Sequence, residues 1–386
     1  MEKHFFNEDL IKNYKMRFIL LMILSPFLMI YSQPIEFSTN HRLVLGNYKE
    51  RTASLDIGDI DGDGDKDVIV ANGRHWPGQN RIFYNNGDGI FTISRSLGVD
   101  SETSYSTELA DFDNDGDLDI AVGNDRAPNN IFINDGKGNF SKGLSFGNDN
   151  STTRNIVVSD INNDGYLDIL ITNRGRENEI CINDGRGVFY KTVSFGTKND
   201  STIDIEVVDI DYDSDMDLVL ANRDGQQNYI YINDGELNFN KKIPFGSGTD
   251  ITRSVSVSDI NKDGFLDIIC ANIDEPNFIY FGDSIFSYKK KVMFDKSLDR
   301  SYSIDSADLD FDGDIDIVVG NSNSTNSVFY NEENGNIWTK IKLSQKNFNT
   351  YDIKIMDINN DGRPDIIESN SDEKNIFYYN KPFLNK

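Results

Sequence analysis

The chain has 386 residues, 38% hydrophobic and 11% aromatic, enough for a sizeable core. Its 64 acidic against 38 basic side chains give a formal net charge of −26, which argues against nucleic acid or an anionic membrane surface as partner. Two cysteines, Cys181 and Cys270, give no disulfide framework and are expected to be small buried hydrophobes.

The first predicted element is an export signal. Lys12, Lys15 and Arg17 precede the 14-residue run FILLMILSPFLMIY, interrupted only by Ser25 and Pro26. That is long enough for a signal-peptide core and short of the ~20 residues of a spanning helix. Residues 1–32 are therefore read as a signal peptide, with Met16 an alternative start and cleavage near Ser32; an uncleaved anchor is the other reading. A secreted or cell-surface protein is expected, with no membrane-inserted segment after cleavage.

Residues 33–386 read as one repeat domain. DIDGDGDKD from Asp59 recurs as DFDNDGDLD (Asp111), DINNDGYLD (Asp160), DIDYDSDMD (Asp209), DINKDGFLD (Asp259), DLDFDGDID (Asp308) and DINNDGRPD (Asp357), at separations of 52, 49, 49, 50, 49 and 49 residues. So even a period signals a repeat architecture. Runs such as NIVVSD and SVSVSD stand before the loop, LDILIT and IDIVV after it, then NIFIN or NYIYIN, a turn such as NDGKG, and a last strand near a Phe. Four short strands per repeat describe one propeller blade. The expected fold is all-β, a seven-bladed propeller with blades near 51–97, 103–147, 152–196, 201–246, 251–294, 300–343 and 349–380. The last repeat supplies three strands, and the segment from Phe37 aligns with the one from Phe140. Residues 37–46 are therefore predicted to be the fourth strand of blade seven, closing the ring.

The acidic loop concentrates like charge that repels unless a cation sits within it. A D-x-[DN]-x-[DN]-G-x-x-D turn brings side-chain oxygens from positions 1, 3, 5 and 9, and a carbonyl from position 7, around one point. An all-oxygen set suits calcium better than zinc or copper. Glycine at position 6 permits positive φ. Position 12 is Val70 in the first loop, inside a strand, which argues against an EF-hand. An aspartate at position 9, already within a strand, is taken as a further sign of metal binding.

With these loops, and with FG at Phe146-Gly147, Phe195-Gly196 and Phe245-Gly246, the chain resembles the FG-GAP, or VCBS-repeat, family. Its propeller form is also seen in integrin α-subunits, where such loops bind calcium between two strands of a blade. The resemblance implies up to seven structural calcium ions, held by Asp59, Asp61, Asp63 and Asp67; Asp111, Asp113, Asp115 and Asp119; Asp160, Asn162, Asp164 and Asp168; Asp209, Asp211, Asp213 and Asp217; Asp259, Asn261, Asp263 and Asp267; Asp308, Asp310, Asp312 and Asp316; and Asp357, Asn359, Asp361 and Asp365. Loop four departs from the pattern, with Ser214 in place of glycine.

Two further positions repeat in every blade: Asn72, Asn124, Asn173, Asn222, Asn272, Asn321 and Asn370, and the Ser/Thr set Thr52, Ser104, Thr153, Thr202, Thr252, Ser301 and Thr350. Both are expected on the face opposite the acidic loops, capping loops by side-chain hydrogen bonds. One residue after the Ser/Thr set the chain varies: Ala53, Tyr105, Arg154, Ile203, Arg253, Tyr302 and Tyr351. With Arg74, His75 and Trp76 of the loop NGRHWPGQN, these would crowd one channel mouth. Aromatic planes and Arg forks suit sugar or peptide recognition. The candidate ligand-binding residues are Arg74, Trp76, Tyr105, Arg154, Arg253, Tyr302 and Tyr351. An extracellular binding or adhesion module for a glycan or protein, acting as a monomer, is the leading functional reading. After the signal only His41 and His75 remain, and no nucleophile motif or phosphate-binding glycine loop is found. A polysaccharide-acting lyase or carboxylate-based hydrolase, and a ligand-free scaffold, are the alternatives.

Overall fold

Runs of Val, Ile and Leu flanked by Asp and Asn form short strands, and their burial changes from one side of each blade to the other. The second strand of a blade, as in Asp67–Asn72, Asp119–Asn124, Asp168–Asn173, Asp217–Asn222 and Asp267–Asn272, is buried at every position. It has a paired strand on each side and a neighbouring blade on each face, which is why its sequence is continuously apolar rather than alternating. The fourth strand, as in Phe140–Phe146 and Phe189–Phe195, is largely exposed. The computed structural model of the protein describes residues 35–40 and 42–382, and these are strands and turns with no helix. The expected export signal and His41 lie outside the described residues.

Consecutive strands pair antiparallel into four-stranded blades spanning 50–96, 104–146, 153–195, 202–245, 252–295 and 300–342. The last stretch, 348–382, contributes three strands, and Ile35–Ser38 pairs with the outermost of them, Ile376–Pro382, placing Phe37 opposite Asn380. This pairing lies earlier and is shorter than the predicted 37–46. After Ser38 the chain turns, the Leu43 N–H donating to the Asn40 carbonyl at 3.0 Å, and only Val44 bridges back to Ile376. The turn sends Leu43 and Leu45 into an apolar cluster with Phe83 and Phe377.

Apolar clusters lie between neighbouring blades rather than within them. Ile60, Ile69 and Ile82 of the first blade meet Ile120, Val122 and Phe132 of the second. The last stretch meets the first blade in the same way, through Ile358, Ile367, Phe377, Leu55 and Val70. Cys181 and Cys270 are buried free thiols in two of these clusters. The FG signature has a packing cause: Phe146, Phe195 and Phe245 are buried where the fourth strand ends. A Cβ on Gly147, which has φ +68°, would approach Ile171 Cδ1 to 2.5 Å.

Within the first blade, Gly58 pairs with Asp67 and Thr52 with Asn72, so the acidic loop closes one end of the hairpin and the Ser/Thr and Asn positions face each other at the opposite end. In every blade the register shifts immediately after the Ser/Thr, at Ala53, Tyr105, Arg154, Ile203, Arg253, Tyr302 and Tyr351. The variable residue is thus the extra residue of a β-bulge, a device that re-aims a side chain.

Candidate functional site

The acidic loops repeat one backbone geometry. Position 6 has positive φ throughout, from +81° at Gly362 to +97° at Gly116, and Ser214 adopts +80° in the same place. The N–H of position 6 donates to the position-1 carboxylate, as from Gly64 to Asp59 at 3.0 Å and from Ser214 to Asp209 at 3.0 Å. Carboxylate oxygens of Asp59, Asp61 and Asp67; Asp111, Asp113 and Asp115; Asp209, Asp211 and Asp217; and Asp308, Asp310 and Asp316 converge within 4.8 Å of one another. These aspartate clusters could hold metal ions. Buried oxygens of Asp61, Asp113, Asp211 and Asp308 have no hydrogen-bond partner, an arrangement that fits a cation supplying the missing contact. In loops three and five the position-3 amide instead donates to position 5, Asn162 to Asp164 at 2.9 Å and Asn261 to Asp263 at 3.0 Å.

The aspartate at position 9 also has a structural task that the sequence argument missed. Asp67 accepts from the Ile60 N–H at 3.1 Å and from the Asn85 N–H at 2.8 Å, tying the loop to the end of the third strand. Asp119 and Asp365 do the same. Burial pushes Asp67, Asp119, Asp168, Asp217, Asp267 and Asp365 up to about 7, and Asp316 to about 8. A bound cation opposes that shift by favouring the ionised form.

At the other end the Ser/Thr and Asn positions form a relay. Thr52 donates to Asn72 at 2.8 Å, and Asn80 of the same blade donates to Ser104 of the next at 2.9 Å. The pattern continues through Asn178–Thr202, Asn228–Thr252, Asn277–Ser301 and Asn326–Thr350, with Thr153 donating to Asn129 in the corresponding place. Asn375 donates to Thr52 at 3.1 Å, linking the last stretch to the first blade. The expected loop capping is therefore also a clasp between blades. The Asn that begins each third strand was visible in every repeat, but its partner in the next blade was not.

Six of the seven candidate ligand-binding residues, Arg74, Tyr105, Arg154, Arg253, Tyr302 and Tyr351, line one cavity of about 450 Å³ at this mouth. Trp76 does not; it is 64% exposed, with the Arg51 guanidinium 5.8 Å from its ring. The tyrosines do not offer free faces. Arg74 lies over Tyr351 at 3.5 Å and Arg154 over Tyr105 at 4.3 Å, while the Tyr105 hydroxyl is 2.8 Å from His75 Nδ1. Tyr302 packs edge-on against Tyr351 at 4.9 Å and accepts from Arg300 at 2.8 Å. Arg174, Arg223 and Arg300 join the lining unpredicted. The signal for Arg174 and Arg223 was present: the residue after the repeated Asn varies as Gly73, Asp125, Arg174, Arg223, Ile273, Ser322 and Ser371, another non-repeating position beside a repeating one.

A second cavity, of about 190 Å³, adjoins the first and shares Tyr105, Arg154, Arg253, Tyr302 and Tyr351 with it. Asp204 accepts from Asn155 at 2.6 Å and Ser254 at 2.7 Å. Glu108, Glu206, Asp305 and Lys354 also line it. Burial pushes Glu206 up to about 8 and Glu108 well above the carboxylate range. Burial alone would lower Lys354, yet the charges of Asp352, Glu108, Asp56 and Asp305 hold it well above its usual value.

No curated protein matches the chain in sequence. Among solved structures it is similar to the WD40 β-propeller domain of Doa1, with TM-score 0.60, 15% identity, and 89% of this chain and 97% of that one covered. It is also similar to BBS1N, solved in complex with ARL6DN, with TM-score 0.62, 12% identity, and 91% and 98% covered. A third is an Agrocybe aegerita lectin that recognises non-reducing terminal N-acetylglucosamine, with TM-score 0.54, 18% identity, and 77% and 81% covered. At these identities the likeness concerns the β-propeller fold alone. The FG-GAP-like repeat matches residues 59–122, 111–171, 160–220, 209–270, 259–319 and 308–368. With most of its length matched, and with one loop geometry recurring in every match, the chain belongs to the FG-GAP-like repeat family.

Proposed function

We propose that the protein is an exported, calcium-stabilised seven-bladed propeller, closed by its N-terminal strand, that binds an extracellular glycan or protein at the mouth opposite its calcium loops. The observation that carries this reading is the bulge. In each blade one extra residue follows the repeated Ser/Thr, six of these seven residues line the mouth, and their identity differs between blades. A position that only holds the blade together has no reason to range from alanine to arginine to tyrosine while the Ser/Thr and Asn beside it repeat.

Calcium is supported by the all-oxygen donor set and by the orphaned oxygens of Asp61, Asp113 and Asp211. Closure is supported by the Phe37–Asn380 pairing and the Asn375–Thr52 hydrogen bond. Export rests on the apolar run after Arg17. The test is ligand screening of the calcium-loaded protein on glycan and protein arrays, followed by Tyr105→Ala and Tyr351→Ala. Loss of the hit in these variants with an unchanged melting temperature supports the mouth. Retained binding there, with loss on changing outer-strand residues such as Tyr190, overturns it.

A further inference from the structure

The mouth has a charge character that neither the sequence reading nor the fold supplies. The protein carries an overall charge of −26, yet this cavity is lined by Arg74, Arg154, Arg174, Arg223, Arg253 and Arg300, with no carboxylate lining it among the described residues. The nearest acids stand behind the arginines. Asp125 pairs with Arg154 at 2.9 Å, Asp224 serves both Arg174 and Arg223, and Asp274 lies 4.0 Å from Arg300. Four carboxylates, counting Asp204 beside Arg253, against six guanidiniums leave a positive excess facing the cavity.

The excess is held in place. Arg74 is fixed on Tyr351, Arg154 on Tyr105, and Arg300 through the Tyr302 hydroxyl. Hydrogen-bonding capacity is also left over: Nε of Arg74 has no partner, and Nε of Arg223 and Arg300 face Asp224 and Asp274 only at 3.6 and 4.0 Å, beyond hydrogen-bond length. Arg253 reaches from its bulge towards Tyr302, with Asp204 beside it as counter-charge. Guanidiniums whose planes are set by stacking and whose edges are free match carboxylate or sulfate oxygens in pairs. The rest of the lining is neutral and hydrogen-bonding, Ser322, Asn323 and Asn349, which suits hydroxyl groups. A ligand bearing both hydroxyls and oxyanions is an acidic sugar. The adjoining cavity brings in Glu108, Asp204, Glu206, Asp305 and Asp352, carboxylates that disfavour a polyanion passing beyond the arginines, so a chain end is what fits.

We infer that the mouth captures the end of an acidic polysaccharide, its carboxylate or sulfate groups held by the arginine ring and its hydroxyls by the neutral rim. This rests on the mouth being the binding surface.

The experiment is calorimetry on the full calcium-loaded chain with three probes: a trigalacturonate, a heparin-derived tetrasaccharide and neutral cellotetraose. At least one acidic probe is expected to bind, more weakly as salt rises, and the neutral one not to. Which acidic probe binds separates carboxylate from sulfate. Arg74→Gln and Arg253→Gln should each weaken binding roughly tenfold, as loss of a charge-assisted hydrogen bond does, with the melting temperature unmoved. Cellotetraose binding as well as the acidic probes, lost in Tyr351→Ala but kept in Arg253→Gln, would overturn the acidic preference and leave the mouth intact. Acidic probes that bind equally to wild type and both arginine variants, or no binding by any probe, would overturn the inference; the first of these also removes the mouth as the site.

Discussion

The two ends of the molecule differ in what repeats. At the loop end every blade presents the same turn, the same positive φ at position 6 and the same pair of backbone donors on position 9 where the bonds are made. At the mouth the clasp of Ser/Thr and Asn repeats, but the bulged residue inside it runs from alanine to arginine to tyrosine. Identity in every blade marks what holds the fold, and difference between blades marks what can distinguish a ligand. The ends also carry opposite charge, an excess of carboxylates at one and of guanidiniums at the other.

The largest effect that separates them is metal removal. The loops assigned as ligands contain 25 aspartates and three asparagines. If each binds calcium with Kd ~0.1 mM, then ~1 mM calcium contributes about 1.4 kcal/mol per loop, or roughly 10 kcal/mol over all of them. Chelation should lower the melting temperature by many degrees, and an unchanged melting curve in excess chelator would remove the calcium reading. Loops one, two, four and six, where the aspartates converge, should release calcium last. Loops three and five, whose asparagine amides already satisfy position 5, should release it first.

Next in size is the seam. Leu45 is fully buried in the cluster that joins the terminal segment to the first and last blades, so Leu45→Ala should cost ~2–5 kcal/mol in unfolding free energy. Deleting residues 33–46 should be worse, because it also strips the strand paired with Ile376–Pro382 and exposes an edge. Wild-type denaturant midpoints for either variant would mean that the segment is not what closes the structure.

Much of this was legible in the sequence, and the remainder was hidden for definite reasons. The period, the strands and the acidic loops could be read because each depends on neighbours within one repeat. The closing segment was recognised from its alignment with Phe140, but its register was not, since the turn after Ser38 follows from where Leu43 and Leu45 find a core. Tyr105 and Tyr351 line one cavity, but the arginines lying over their rings were not legible in the sequence. Whether a tyrosine shows its face to a ligand or supports an arginine depends on a residue far off in sequence and adjacent in space, as with Arg74 of the first blade and Tyr351 of the last stretch packed against it.

A pH effect of intermediate size belongs to the mouth end. Glu368 is fully buried beneath the clasp, near Asn370, and burial pushes it up to about 7. The unfolded carboxyl releases its proton near 4.5, so the folded state binds the extra proton between those values. Stability from this group is therefore greatest below pH ~4.5 and falls by about 3 kcal/mol as pH rises past 7. Glu368→Gln should make the slope between pH 5 and 8 shallower by this one group's share, the other raised carboxyls supplying the rest, while leaving the response to chelator unchanged. A slope identical to wild type would mean that Glu368 ionises freely in the fold.

The smallest expected effect tests whether the loop end is as uniform as it looks. Ser214 holds the φ of +80° that glycine holds in the other loops, and its N–H still donates to Asp209. A side chain in the left-handed region costs on the order of 1 kcal/mol, partly offset in a glycine variant by the greater entropy of the unfolded chain. Ser214→Gly should therefore raise the melting temperature by only a degree or two. Because the strain lies in the backbone rather than in the ligand set, the gain should be the same with calcium and with chelator. Loop four has a second peculiarity, the exposed Lys241 ammonium 3.5 Å from Asp211, which competes for an oxygen the cation would use. Lys241→Gln should change only the calcium titration, tightening the weakest of the aspartate-rich loops without altering the melting curve in chelator. If instead Ser214→Gly acts only when calcium is present, the loop takes its shape from the ion, and the shared geometry of this end is a consequence of binding rather than a preparation for it.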